Sequence, residues 1–271
     1  MDNEQKTAPQ PENDRHNEDQ TTSTPRDSQP EPASSAPEHR DQPADVQSQP
    51  SSDMVVVQFD NVYLNTDHGH EVFRDLTFCL RAGCTAYITG PAGSGKTSLI
   101  RLIIGDRMPA AGAVEVFGEV WRWRSRRQRM RIRRRIGGVG GLFDLMPSLT
   151  AAENVTLPLI IAGLPRRQRQ EKLLRVLGEF SLLKLANVYP ERLTRVERTM
   201  VQFARAAVND QPLLLIDEPT AGLDRTTYDR LVEYMFKVSQ SGRSMIIVSS
   251  EVPSRELPNT DYYEIVNGAL L

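Results

Sequence analysis

The sequence predicts an α/β fold, a mostly parallel sheet with helices packed on it, preceded by N-terminal β strands. Three observations predict it. Residues 85–89 form a short apolar stretch that runs into a glycine-rich turn and then a segment of helical spacing at 96–104. A continuous apolar run from Leu213 to Ile216 ends in Asp217, and a helical pattern follows near 225–239. Met245 to Val248 repeats the unbroken apolar pattern. Such strands, alternating with helices, belong to a sheet covered on both faces.

In chain order, residues 1–53 come first. They hold twelve Asp/Glu and four Lys/Arg, a net of −8 in a chain whose total is −2, so the rest carries +6. They contain eight prolines and no aromatic residue, Leu or Ile. Too little apolar surface is available to offset chain entropy, so a disordered acidic tail is expected, with the folded part at 54–271. Acidic and without an apolar core, this tail is not expected to be a secretory signal. No run of about 18 apolar residues occurs, so no segment is expected to span a bilayer.

Residues 54–59 read as a strand and 72–80 as another. Gly83 turns the chain into the strand at 85–89, and the helix after it stops at Gly105. Val114 to Phe117 is a further strand. From Leu149 to Val208 the pattern is mostly helical, with apolar positions at Leu173, Leu174, Leu177 and Phe180. The two cysteines, Cys79 and Cys84, have neither metal-ligand nor redox-motif spacing. Cys79 lies in an alternating apolar strand, and a small buried thiol is expected there.

The chemistry is concentrated in two places. Gly90, Pro91, Ala92, Gly93, Ser94, Gly95, Lys96 and Thr97 fit the phosphate-loop pattern G-x-x-x-x-G-K-[ST], followed by Ser98 on the helix. Glycines let backbone N–H groups wrap a phosphate, and the helix directs its positive end at the same charge. Lys96 reaches the β/γ oxygens, and the Thr97 hydroxyl is a Mg²⁺ ligand. The second place is Asp217-Glu218-Pro219. A strand ending in Asp puts a carboxylate where the metal of a bound nucleotide lies, and Glu218 is suited to polarise an attacking water. Alone this pair is weak; about 120 residues after a phosphate loop, and followed by Ala221-Gly-Leu-Asp224, it is strong.

On these residues the region 54–271 resembles an ATP-binding cassette ATPase. Residues 85–102 look like its Walker A region, 213–218 like its Walker B strand and 221–224 like its D-loop. Residues 150–159, 204–209 and 267–271 are similar to the branch that holds the cell-division ATPase FtsE, the lipoprotein-release ATPase LolD and macrolide-export relatives. The resemblance implies a RecA-like core with a helical subdomain inserted near 145–200. It also implies ATP and Mg²⁺ as ligands, and a head-to-tail dimer with ATP between subunits.

Three expected motifs are altered. The family places a glutamine, in contact with Mg²⁺ and the attacking water, where Gly141 stands. Leu193-Thr-Arg-Val-Glu197 occupies the signature slot L-S-G-G-E. There Thr194 keeps a hydroxyl, while Arg195 and Val196 replace glycines. Ser250 stands at the switch histidine and lacks its capacity to share a proton. For the adenine, Tyr63 is the candidate cover, although the family's aromatic lies nearer Asn65 or Thr66.

Residues 122–135 contain nine arginines, next to Trp121 and Trp123. Three readings stay open for this block: a solvated basic face, contact with anionic lipid headgroups or an acidic partner, and pairing with the acidic tail. For the chain as a whole, one reading is an ATPase subunit that drives a separate permease-type membrane protein, as a homodimer or heterodimer at the inner face of the cytoplasmic membrane. Another is a regulatory ATP-binding subunit with little turnover, paired with an intact sister. A nucleic-acid-associated cassette is disfavoured, since neither a second cassette nor a coiled-coil insertion is present.

Overall fold

The computed structural model describes residues 54–271 except 220–222 and 253–254, and the side chain of Trp123. The expected tail at 1–53, and Ala221 and Gly222 of the D-loop, lie outside the described residues. Two sheets form. β1 (Val55–Asn65) pairs antiparallel with β2 (Glu71–Arg81) and with β4 (Ala111–Val116), and β4 pairs with β5 (Glu119–Val120). The second sheet joins β3 (Thr85–Thr89), β6 (Ile136–Val139), β7 (Leu213–Asp217), β8 (Ser244–Ser249), β9 (Thr260–Val266) and β10 (Ala269–Leu270) in the order β10-β9-β3-β8-β7-β6. All its pairs are parallel except β9 with β10.

The unbroken apolar runs are explained by the layers on either side. Leu213, Leu215, Ile246 and Val248 share a core with β1, β2 and α1 (Lys96–Ile103). Leu214, Ile216, Met245 and Ile247 face the other way, into a core with α3 (Ala151–Ile161), α4 (Arg166–Glu179), α5 (Arg195–Ala207) and α6 (Arg225–Gln240). Each fully buried Leu or Ile contributes about 1.5–3 kcal/mol. The tips of β3, β7 and β8 are therefore fixed in space, and these tips carry the polar residues of interest. Among the described residues, no helix is long and apolar enough to cross a membrane.

Several expectations change. The strand expected at 54–59 continues to Asn65 through register shifts between Phe59 and Asn65. Strands β6, β9 and β10 had no clear sequence signal. β6 is four residues with two glycines, and β9 mixes Asp261 and Glu264 with two tyrosines. Cys79 is exposed, because the inward positions of β2 are Phe78 and Leu80 and the pleat turns Cys79 outward.

The arginine block also resolves into parts. Trp121 is buried at 1% exposure and donates its Nε1–H to Ile103 O, so it belongs to the core and not to a binding face. The block contains α2 (Arg126–Arg133), started by a Ser125–Gln128 capping box. Arg133 donates to the carbonyls of Ile104 and Gly105 and so closes the end of α1. Arg124 pairs with Glu119 at 2.6 Å, and Arg135 lies over the Phe117 ring. Arg122, Arg126, Arg127, Arg131 and Arg134 are left exposed.

Candidate functional site

β3 leads into the glycine-rich loop, and α1 leaves it. Gly95 caps α1 in a left-handed conformation, φ 107°. A Cβ there would lie 2.9 Å from the ring of Phe73, so glycine is required twice over. Lys96 is 7% exposed and folds back over the loop. Its Nζ donates to Gly90 O at 2.6 Å and to Pro91 O at 3.0 Å, and lies 3.5 Å from Glu218 Oε1. These carbonyls satisfy the buried ammonium.

Thr97 and Asp217 meet from different elements. Thr97 Oγ1 donates to Asp217 Oδ2 at 3.2 Å, while Asp217 Oδ1 is buried without a hydrogen-bond partner among the described residues. Burial pushes the Asp217 carboxyl up. The Thr97 hydrogen bond and Lys96 act against this, and the neighbouring Glu218 adds to it. An orphaned carboxylate oxygen beside a threonine hydroxyl fits Mg²⁺, which takes one or two protein oxygens and completes its shell with phosphate and water. Among the described residues no cluster of three or more His, Cys, Asp or Glu offers an all-protein metal site.

Glu218 holds a left-handed backbone, φ 49°, sparsely populated for a residue with a side chain. Its N–H donates to Val248 O at 2.9 Å, tying the end of β7 to β8. Its carboxylate accepts from Ser250 N–H at 3.0 Å and from Ser250 Oγ–H at 2.5 Å. Sequence reasoning treated Ser250 as a loss, yet the structure brings it into direct contact with Glu218.

A cavity of about 670 Å³ joins Thr97, Asp217 and Glu218 to Gly140, Gly141, Leu193, Arg195 and Gln202. Gly141 begins a 3-10 turn after β6. The Thr194 hydroxyl is committed to starting α5: it accepts from Glu197 N–H and donates to Glu197 Oε2, a complete capping box. Thr194 and Val196 do not line this cavity, whereas Arg195 does. Gln202 had no place in the sequence reading; only its position in the helical stripe 195, 198, 199, 202 pointed to this face. Two contacts from the helical layer hold the loop after β6. Arg205 donates to the carbonyls of Phe143 and Asp144, and fully buried Asn154 bonds the backbone of Met146 and Leu149.

A second cavity, about 530 Å³, lies on the other side of the loop. Thr66, His70 and Glu71 line it with Pro91, Ala92, Gly93 and Ser94. Tyr63 lines neither cavity. It pairs with Ala111 in the β1–β4 ladder. His70 brings a ring to this second cavity. Ser98 is half-buried on α1 and lines neither cavity.

Comparison with known proteins gives a consistent result. The family described as ABC transporter matches residues 73–221. An uncharacterised ABC transporter ATP-binding protein of Thermotoga maritima is 34% identical over 180 residues, 66% of this chain and 77% of that one. The lipoprotein-releasing system ATP-binding protein LolD of Legionella pneumophila is 30% identical over 179 residues, 66% and 79% of the two chains. An ATP-binding cassette solved as a dimer in a post-hydrolysis state with ADP and Pi superposes with a TM-score of 0.71 at 27% identity, covering 79% of this chain and 96% of that one.

Proposed function

The chain belongs to the ATP-binding cassette family of ABC transporter ATPases, and on that premise we propose how its residues use the nucleotide. It is the ATP-binding subunit of a complex whose membrane-spanning part is a separate protein. Nucleotide phosphates enter the loop at residues 90–97. There Lys96 exchanges the Gly90 and Pro91 carbonyls for β/γ oxygens, and the backbone N–H groups and α1 face the same charge. Thr97 and Asp217 hold Mg²⁺, which when bound neutralises charge on the phosphates. Glu218 accepts the proton of the attacking water. The observation that carries this reading is the meeting of Lys96, Thr97, Asp217 and Glu218 at one loop.

Two such chains, or one with a sister, pair head to tail around ATP, and α3–α5 pass the closure to the permease-type partner. That partner places the chain at the inner face of the cytoplasmic membrane. Calorimetry tests the nucleotide part: Lys96→Ala should remove most Mg·ATP affinity, and unchanged affinity contradicts it. A pull-down from membranes with the purified chain tests the partner.

Two observations favour a second reading, a regulatory subunit with little turnover. Arg195 stands where the signature motif has a glycine, and Glu218 is held by Ser250 and Lys96. In a mixed dimer an intact sister signature would complete the site built on Lys96 and Glu218. The chain's own segment 193–197 would leave the other site degenerate.

A further inference from the structure

Gln202 is a polar residue set among the buried Met200, Val201, Phe203 and Ala204 of α5, and it is itself only 7% exposed. A carboxamide buried on a helix that packs against a sheet is costly unless its polar atoms have work to do. One atom is accounted for: Oε1 accepts the Gly140 N–H at 2.9 Å. The NH₂ group, with two donors, has no hydrogen-bond partner among the described residues. Gln202 lines the same cavity as Thr97, Asp217 and Glu218.

The segment that Gln202 holds is next to the metal-site carboxylate. A Cβ on Gly140 would come within 2.5 Å of Asp217 O and 2.8 Å of Asp217 Cβ, so the turn after β6 lies directly against the end of β7. Gly141, the next residue, brings no side chain to the cavity. A Cβ there would meet nothing within 4 Å, and its φ is not left-handed. The position is open and sterically able to carry a side chain.

We propose that Gln202 is a positioning residue of the ATPase centre, supplying from α5 the carboxamide that the turn after β6 lacks at Gly141. Its Oε1 fixes Gly140 against Asp217. Its NH₂, at the cavity that Glu218 also lines, donates to the attacking water or the terminal phosphate. This inference rests on the ATPase reading above. It also joins the nucleotide centre to the helical layer through one side chain, since α5 is the helix that packs on β6.

The test uses the full chain, in single-turnover cleavage of Mg·ATP with protein in excess. A second readout is the affinity for Mg·ADP·vanadate, which imitates the transition state. Affinity for Mg·AMP-PNP serves as the ground-state control. Gln202→Ala should slow cleavage and weaken vanadate trapping by about tenfold to a hundredfold, with AMP-PNP affinity within about twofold. Gly141→Gln added to Gln202→Ala returns a carboxamide from the other side of the cavity and should recover most of both losses. A core-filling role for Gln202 predicts instead a lowered thermal midpoint that Gly141→Gln does not rescue, and that result overturns the proposal. Unchanged cleavage and trapping in Gln202→Ala overturn it as well. Failure of the unsubstituted chain to bind Mg·AMP-PNP overturns the ATPase reading itself, and this inference with it.

Discussion

Asp217 is held in a place that disfavours its own charge. Burial raises its folded-state pKa above the unfolded value. Such a group adds stability below the unfolded value and loses it as pH rises through the folded one. Above that folded value the ionised carboxylate therefore weakens the fold. Asp217→Asn should raise the thermal midpoint by about a few degrees without nucleotide, and flatten its fall with rising pH. It should also weaken Mg²⁺-dependent ATP binding. A thermal scan between pH 4 and 8 checks this, and an unchanged or lowered midpoint contradicts it. The loop residues and Asp217-Glu218 were legible because each motif is contiguous and its backbone geometry is local. The Ser250–Glu218 and Gln202–Gly140 contacts were not. Each joins the ends of separate elements, a pairing that only the sheet order creates.

Among the elements, α3 offers a clean test of local physics. Thr150 and Glu153 cap it reciprocally: Glu153 N–H donates to Thr150 Oγ1, and Thr150 N–H donates to Glu153 Oε2 at 2.7 Å. The Thr150 N–H and the Thr150 hydroxyl, both donating to Glu153 Oε2, hold the Glu153 carboxyl below its usual range. Thr150→Ala should cost about 1 kcal/mol, a fall of roughly 2–4 °C in midpoint for a domain of this size. The stability tied to Glu153 is present above the unfolded pKa of 4.5 and disappears as pH falls through the lower folded value, so the gap to the variant should narrow in acid. α2 makes a second test. Arg126, Arg127, Arg131 and Arg134 are exposed, whereas Arg133 and Trp121 are built into the end of α1. Neutralising the four should weaken any binding to anionic liposomes, in a salt-sensitive way, and leave the midpoint nearly unchanged. Salt-insensitive binding, or none, returns the block to a solvated basic face. α2 was hidden in the sequence because its arginines masked the single buried Ile132, and the place of Trp121 stayed open because a tryptophan beside arginines has the composition of a binding face as well as of a core.

At the scale of the molecule, the parallel sheet was legible from three unbroken apolar strands, and the helical layer from its spacing. The edge strands β6 and β9 were less so, since Gly137, Gly138 and the charged residues of β9 carry little β signal. In the proposed reading the site keeps its phosphate loop, with Asp217 as metal anchor and Glu218 as water-activating carboxylate. Around them stand Gly141, Arg195, Val196 and Ser250 in place of groups the family uses, with Gln202 offsetting one of those losses. A lost transition-state contact costs about 2–4 kcal/mol, roughly a hundredfold to a thousandfold in rate. The chain alone should therefore bind ATP and hydrolyse it very slowly. Steady-state phosphate release by the pure full-length chain, with Glu218→Gln as the blank, tests this most directly. The account predicts a rate roughly a hundredfold or more below several per second at saturating Mg·ATP, yet clearly resolved from that blank, and a rate of several per second, lost in Glu218→Gln, would contradict it.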